Sequence, residues 1–321
     1  MLRAAVLDDY QGRAHEFADW GSLAGAVEVT FLRQTIPREQ LADALAGFEV
    51  LVLMRERTAF PREVLERLPE LQLVVTTGMR NASLDVDHLR ERGVTVSGTG
   101  MSGGSAPGLA STVEVAWALI FAVSKRVTLE DRALRAGHWQ LGLPSNLAGA
   151  TLGLAGLGRL GGSMVAPARV FGMDVIAWSE HLTDERASEF GVRRVSKDQL
   201  LERSDVLSIH LVLSDRTQGL FGAAELALMK PSAALINTSR GPIVDERALV
   251  EALRSGTIAA AGLDVYDQEP LPADSDLLSL ENTVLLPHLG YVSERAMRSM
   301  YADAVADIAA FVAGAPIRKL T

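Results

Sequence analysis

The stretch TLGLAGLGRLGGSMVA, residues 151–166, decides how the rest of the chain is read. Its first five residues are an apolar run of strand length. Gly156, Gly158 and Gly161 follow in a G-x-G-x-x-G spacing, and Met164, Val165, Ala168 and Val170 then recur at helical intervals. Strand, glycine turn and helix in that order are the context in which this spacing marks a dinucleotide site rather than a bare turn. Gly156 permits the tight turn, Gly158 lets backbone approach a pyrophosphate, and Gly161 lets the helix pack on its strand. The helix N-terminus, with unpaired N–H groups and a partial positive charge, then faces the phosphates.

Such a site needs a second strand closed by an acid about 20 residues on, to hold the adenosine ribose. DVIAW at residues 174–178 is that strand, but Ser179 closes it and the acid, Glu180, comes one later. Serine can bond a ribose hydroxyl but lacks the charge that rejects a 2′-phosphate. No arginine follows Ser179 immediately, only Glu180 and His181. The reading favours NAD and leaves NADP open.

A chain of 321 residues, 48% hydrophobic, has the length and composition for two domains with separate cores. Its formal net charge of −9 argues against a general affinity for nucleic acid or anionic membranes. With no cysteine there are no disulfides, thiolate metal sites or cysteine nucleophiles, and no metal is expected. The opening MLRAAVLDDY reads as a strand rather than a leader, and the longest uncharged apolar run, 115–124, is about half a membrane span. A cytoplasmic protein is the expectation.

From residue 3 to about 97, strands at 4–7, 50–54, 73–76 and 94–97 alternate with helices at 37–45, 61–68 and 86–92, which implies a parallel sheet with helices on both faces. The glycine-rich segment 98–108 lacks the Lys-Ser/Thr of a phosphate loop and reads as a crossing between domains. A helix is expected at 111–126, opened by a Ser111/Glu114 capping box. Alternation resumes from 151 to 286 with six strands, at 151–155, 174–178, 205–210, 233–238, 258–264 and 283–286, and a helix opened by a Ser196/Gln199 capping box. A long amphipathic helix at 293–312 follows.

Ligands of an open parallel sheet bind outside the carboxyl ends of its strands. His210, Arg240, Glu269 and His288 each follow a strand of the second block, and Pro270 keeps Glu269 out of a helix. Hydride transfer to a 2-oxo acid needs a fork of donors for the carboxylate, a proton donor for the carbonyl oxygen, and a group that orients that donor. Arg240 supplies a bidentate, permanently charged fork. His288 with Glu269 supplies an acid/base and its partner. Taken singly, each is more often just a solvated surface residue; together with the glycine turn they point to catalysis.

GLGRLG at 156, NTSRG at 237, LDVYDQEP at 263 and Pro287-His288 resemble, in order and spacing, the D-isomer-specific 2-hydroxyacid dehydrogenase family. The resemblance covers nearly the whole chain. It implies an α/β protein of two domains, with a Rossmann-type doubly wound parallel sheet (99–291) inserted into a smaller flavodoxin-like substrate domain (1–98 with 292–321), and helices crossing between them near 109–126 and 293–312. It gives Arg240 the substrate carboxylate and carbonyl, His288 the acid/base role and Glu269 that of its partner. For the cofactor it implies Gly156, Gly158, Arg159, Leu160 and Gly161 at the phosphates, and Ser179 with His210, Val212 and Thr217 on the adenosine side. Thr238, Ser239, Asp264 and Gly290 would also bind the cofactor, Asp264 contacting the nicotinamide amide. From the substrate domain, the backbone at Gly78 and Met79 would supply further carboxylate contacts. It also suggests a homodimer, with an arm around His138-Trp139, and closure over the hinge.

Departures accompany the likeness. His210-Leu211-Val212-Leu213 stands where the family commonly has H-x-P-L, Ser179 where it has aspartate, and Gly78-Met79-Arg80-Asn81 where many members have G-x-D-N. With Arg55 and Arg57 also near a strand end of the substrate domain, a basic pocket for a second anionic group on the substrate, with Arg55 as a substrate contact, is one hypothesis, and surface ion pairs are the plainer alternative. The expected activity is hydride exchange between NAD(H) and a small 2-oxo or D-2-hydroxy acid. The rivals are an NADPH-dependent glyoxylate or hydroxypyruvate reductase and, from another class, an NAD(H)-sensing protein-association module.

Overall fold

The computed structural model describes residues 1–100 and 107–320. The chain divides into two compact units, Met1–Pro107 with Ser293–Thr321, and Gly108–Val292. Residues 101–106 of the glycine-rich crossing lie outside the described residues.

In the first unit β1 (Leu2–Val6), β2 (Val27–Phe31), α1 (Arg38–Ala44), β3 (Val50–Leu53), α2 (Arg62–Leu65), β4 (Leu73–Thr76), α3 (Val86–Glu91) and β5 (Thr95–Gly98) follow one another. The strands form one parallel sheet in the order β2-β1-β3-β4-β5, the flavodoxin-like arrangement. β3 (VLVL) and β4 (LVVT) are buried throughout, as central strands covered on both faces must be. Leu41, Leu45, Leu51, Leu65 and Leu89 close one core, each fully buried side chain contributing about 1.5–3 kcal/mol.

The second unit begins in α4 (Pro107–Ser124) and α5 (Val127–Arg135). It continues through β6 (Thr151–Ala155), α6 (Arg159–Val170), β7 (Asp174–Trp178), α7 (Asp184–Glu189), β8 (Arg193–Arg194), α8 (Lys197–Arg203) and β9 (Val206–Ile209). α9 (Ala223–Leu228), β10 (Ala234–Asn237), α10 (Glu246–Ser255), β11 (Ala260–Leu263) and β12 (Thr283–Leu285) complete it. All seven strands are parallel in the order β12-β11-β10-β9-β6-β7-β8. Strand order therefore reverses between β6 and β9, which opens a crevice beside the glycine turn. α11 (Glu294–Val312), capped by Ser293, belongs to the first unit and packs on β4 and β5.

Three sequence expectations are corrected. The second sheet has seven strands, because Arg193–Arg194 pairs with β7; two exposed arginines carry no apolar signal. The first sheet gains the edge strand β2, absent from the predicted set. Ser111 is not an N-cap: α4 already runs from Pro107, so Ser111 is buried inside the helix and Glu114 is exposed on it. The Ser196/Gln199 capping box forms in full.

Candidate active site

The glycine turn has the geometry a nucleotide cradle requires. Gly156 adopts φ +101°, and a Cβ there would lie 2.5 Å from the His210 carbonyl oxygen, so the turn runs close against the end of β9. A Cβ on Gly161 would lie 2.0 Å from the Gly156 carbonyl oxygen, which ties α6 to its strand. Gly158 is the opposite case: its Cβ would meet nothing within 4 Å, so the space above the turn at the N-terminus of α6 is open. Arg159 and Leu160 begin that helix. The residues present thus fit a pyrophosphate. Deeper along the rim, the hydroxyl of Thr238 is buried without a hydrogen-bond partner, whereas that of Ser239 bonds the Ile209 carbonyl at 2.8 Å.

On the adenosine side, Ser179 closes β7, and the loop after β9 is pinned by Thr217, whose hydroxyl donates to the Val212 carbonyl at 2.7 Å and accepts the Ser214 N–H at 2.8 Å. His210 bonds the Ser208 hydroxyl at 2.9 Å, its Nδ1 is buried without a partner, and burial pushes its imidazole down to about 4. It is a neutral wall beside the glycine turn and not a second acid/base.

The reactive rim lies at the ends of β10, β11 and β12. A Cβ on Gly241 would lie 2.0 Å from the Tyr266 carbonyl carbon, so only glycine lets the loop after β10, bearing Arg240, press against the loop after β11, bearing Glu269. Asn237 braces the first loop, donating to the Arg240 carbonyl at 2.9 Å and accepting the Ser239 N–H at 3.0 Å. Glu269 accepts the Tyr266 N–H at 3.0 Å with Oε1 and meets His288 Nδ1 with Oε2 at 2.6 Å. Burial pushes the Glu269 carboxyl up, but the bond and charge of His288, the Tyr266 amide and the charge of Arg240 outweigh it and hold the group below its ordinary range. Arg240 and His288 therefore act on one carboxylate. With Nδ1 committed to Glu269, His288 Nε2 has no hydrogen-bond partner among the described residues.

His288 sits at φ +53°, a left-handed conformation unusual for a residue with a Cβ. Asp264 lies beneath it. One carboxylate oxygen accepts the Leu289 N–H at 2.6 Å and the other the Gly290 N–H at 2.7 Å, the two amides directly after the histidine. Asp264 is 0% exposed, its two carboxylate oxygens turned to these amides. Its influence on the rim runs through the loop that it grips. Burial pushes this carboxyl up to about 6 against the opposing effect of the two amides. The Tyr266 hydroxyl donates to the Leu286 carbonyl at 2.9 Å and steadies the same loop; Tyr266 was not among the predicted site residues, although it stands inside LDVYDQEP.

In the first unit, Arg55 follows β3 at φ +53°, and Gly78 (φ +102°) and the exposed Met79 follow β4, all at carboxyl ends of their sheet. The Arg55 guanidinium lies 3.2 Å from where a Gly78 Cβ would stand.

An open glycine turn at a helix N-terminus and a hydrogen-bonded His288–Glu269 pair, both on the carboxyl rim of one doubly wound sheet, have the form that a dinucleotide-dependent oxidoreductase requires. Residues 117–290 match the family model of the D-isomer specific 2-hydroxyacid dehydrogenase NAD binding domain. The chain is 35% identical over 290 residues to a glyoxylate reductase of Thermococcus litoralis, covering 87% of this chain and 85% of that protein. It is 33% identical over 288 residues to a D-3-phosphoglycerate dehydrogenase of Archaeoglobus fulgidus, covering 88% of this chain and 53% of that protein. A phosphoglycerate oxidoreductase crystal structure from Vibrio cholerae superposes with a TM-score of 0.90 at 35% identity, covering 98% of this chain and all of that one. The chain belongs to the D-isomer-specific 2-hydroxyacid dehydrogenase family, NAD(P)-dependent oxidoreductases acting on 2-hydroxy acids.

Proposed function

We propose that the protein reduces small 2-oxo acids of the glyoxylate class to 2-hydroxy acids, with His288 as the acid/base. The observation that carries this reading is the 2.6 Å contact between His288 Nδ1 and Glu269, which orients the ring and leaves Nε2 to deliver a proton to the substrate carbonyl oxygen. Nicotinamide, when bound, supplies the hydride. Arg240 holds the substrate carboxylate through its planar fork, and the charge it adds beside Glu269 keeps that partner ionised. Asp264 positions the histidine by gripping the amides of Leu289 and Gly290. Arg55, Gly78 and Met79 remain the proposed substrate-contact residues of the first unit. The likeness to a glyoxylate reductase supports the substrate class.

The test is NADH and NADPH oxidation across glyoxylate, hydroxypyruvate, a dicarboxylic 2-oxo acid and a phosphorylated one at neutral pH. Turnover of the small acids is expected. A preference for the more anionic substrates would favour a pocket for a second anionic group, and no turnover of any would end the proposal.

We propose also that the protein is a homodimer. Val127, Leu134, Trp139 (76% exposed), Leu141 and Leu143 (94% exposed) leave a run of apolar side chains uncovered by their own chain. A groove of about 500 Å³ lies beside this arm at the amino ends of β6, β9 and β10, away from the glycine turn, so its size marks no catalytic site. Light scattering in solution should return twice the chain mass. No helix among the described residues is long and apolar enough to cross a membrane.

A further inference from the structure

We infer that His181 and Arg216, with Ser179, recognise the 2′-phosphate of NADP(H), and that Arg216 is a specificity-determining residue of this chain. The inference rests on the dinucleotide reading of the glycine turn. β6 lies between β7 and β9, so the turn after β7, which holds Ser179 and His181, and the loop after β9, which holds Arg216, stand on either side of the Gly156 turn. The two meet: Arg216 donates to His181 Nε2 at 3.2 Å, and the contact passes over the carboxyl end of β6. The position usually filled by a ribose-binding acid is here Ser179, which is uncharged. An arginine missing from the residues just after Ser179 is thus supplied from the next strand but one.

Both ends of the pair are held locally. Leu182 N–H bonds the Ser179 carbonyl at 3.1 Å, and Thr217 N–H bonds the Ser214 carbonyl at 2.9 Å, so neither turn needs to be ordered by the ligand. Neither His181 nor Arg216 is paired with a carboxylate among the described residues, and Glu180 and Asp215, their chain neighbours, bond to neither. The Arg216 guanidinium donates to the His181 Nε2 with no anion beside it, and the hydroxyl of Ser179 stands two residues before that histidine in the same turn. A phosphate on the ribose 2′-oxygen accepts from the Arg216 fork, from His181 and from the Ser179 hydroxyl. A free ribose 2′-hydroxyl uses only the serine.

Calorimetric titration of the protein with 2′,5′-ADP and with 5′-ADP tests this without turnover. The wild type is expected to bind 2′,5′-ADP more tightly than 5′-ADP. Arg216→Ala is expected to weaken 2′,5′-ADP by about tenfold, the worth of one charge-assisted hydrogen bond, while 5′-ADP changes by less than about twofold. Because Arg216 is exposed, unchanged 5′-ADP binding also certifies the fold. A wild type that prefers 5′-ADP, or an Arg216→Ala loss equal for both nucleotides, overturns the inference. Clear discrimination without reduction of any 2-oxo acid would strike the proposed function alone, and NADH-driven reduction without discrimination would strike this inference alone.

Discussion

Asp264→Asn separates the site from the scaffold. The carboxylate grips two successive amides, at 2.6 and 2.7 Å, and through them fixes the left-handed backbone of His288. Asparagine keeps one acceptor but turns an amide group toward the second N–H, so one charge-assisted bond is lost, about 1.5–3 kcal/mol. If that loss is felt where the imidazole must meet substrate, kcat/KM for 2-oxo acid reduction falls by roughly 10- to 100-fold at pH 8. Global stability responds differently. The Asp264 carboxyl is raised from 3.8 to about 6, so the folded state takes up a proton more readily than the unfolded one. The stability linked to this group is therefore greatest at low pH, declines as pH rises from about 4 to about 6, and is constant above that. A shift of about two units, with the two amide bonds already set against burial, means that the ionised carboxyl is held at a net cost of about 3 kcal/mol, which asparagine removes. The melting temperature at pH 8 should therefore not fall, and should rise by at most a few degrees. The sign for activity is opposite. Below about pH 6 the wild-type carboxyl is protonated, one oxygen becomes a donor, and the grip on Leu289 or Gly290 is lost, so kcat/KM falls on the acid side. Because kcat/KM reports the free enzyme, its profile is the proper readout. Asp264→Asn should be low at pH 8 and lack the limb near 6. A variant within twofold of wild type at pH 8, or one that keeps that limb, would refute the gripping role.

The remaining expectations concern the rim and the glycine turn. His288→Ala should lower kcat/KM for reduction by about 10²- to 10⁴-fold while NADH affinity by fluorescence titration stays unchanged; undiminished turnover would remove the histidine from the mechanism. Arg240→Lys keeps the charge but not the fork, and should raise KM for the 2-oxo acid and lower kcat/KM by roughly 10- to 100-fold. An equal effect on a substrate analogue without a carboxylate would show that the fork is not the reason. Gly158→Ala and Gly161→Ala form a contrasting pair. The added Cβ at 158 meets nothing, so the melting temperature should hold while nucleotide affinity drops; at 161 it would fall 2.0 Å from the Gly156 carbonyl oxygen, overpacking worth about 1–3 kcal/mol or more, and the protein should melt several degrees lower. Equal melting of the two variants would contradict the open cradle.

What the sequence displayed and what it concealed differ by a physical criterion: whether an interaction is local or made by strand order. The glycine turn is local, since strand, turn and helix are contiguous, and its three glycines can be assigned their separate roles before any fold is known. The Ser196 cap is local too, and forms as read. The Ser111 cap failed because its motif tests only four residues, while the helix had already begun at Pro107 behind a glycine-rich segment that carries no periodicity. β2 was within reach, because Val27, Val29 and Phe31 alternate with Glu28 and Thr30. The 3-10 turns at Ala14–Glu16 and Trp20–Leu23 interrupt the expected alternation before it. His288 and Glu269 were legible as ends of strands, but the sequence could not assign Asp264 its partners, because a strand-end carboxylate reads alike whether it faces a ligand or folds back on the next loop. Arg216 is the furthest case. Nothing in DVIAWSEH announces that an arginine from SDRT will lie 3.2 Å from its histidine. That contact exists because β9 returns to pair with β6 instead of extending the sheet past β8, and the reversal that opens the crevice also sets the two turns face to face across it.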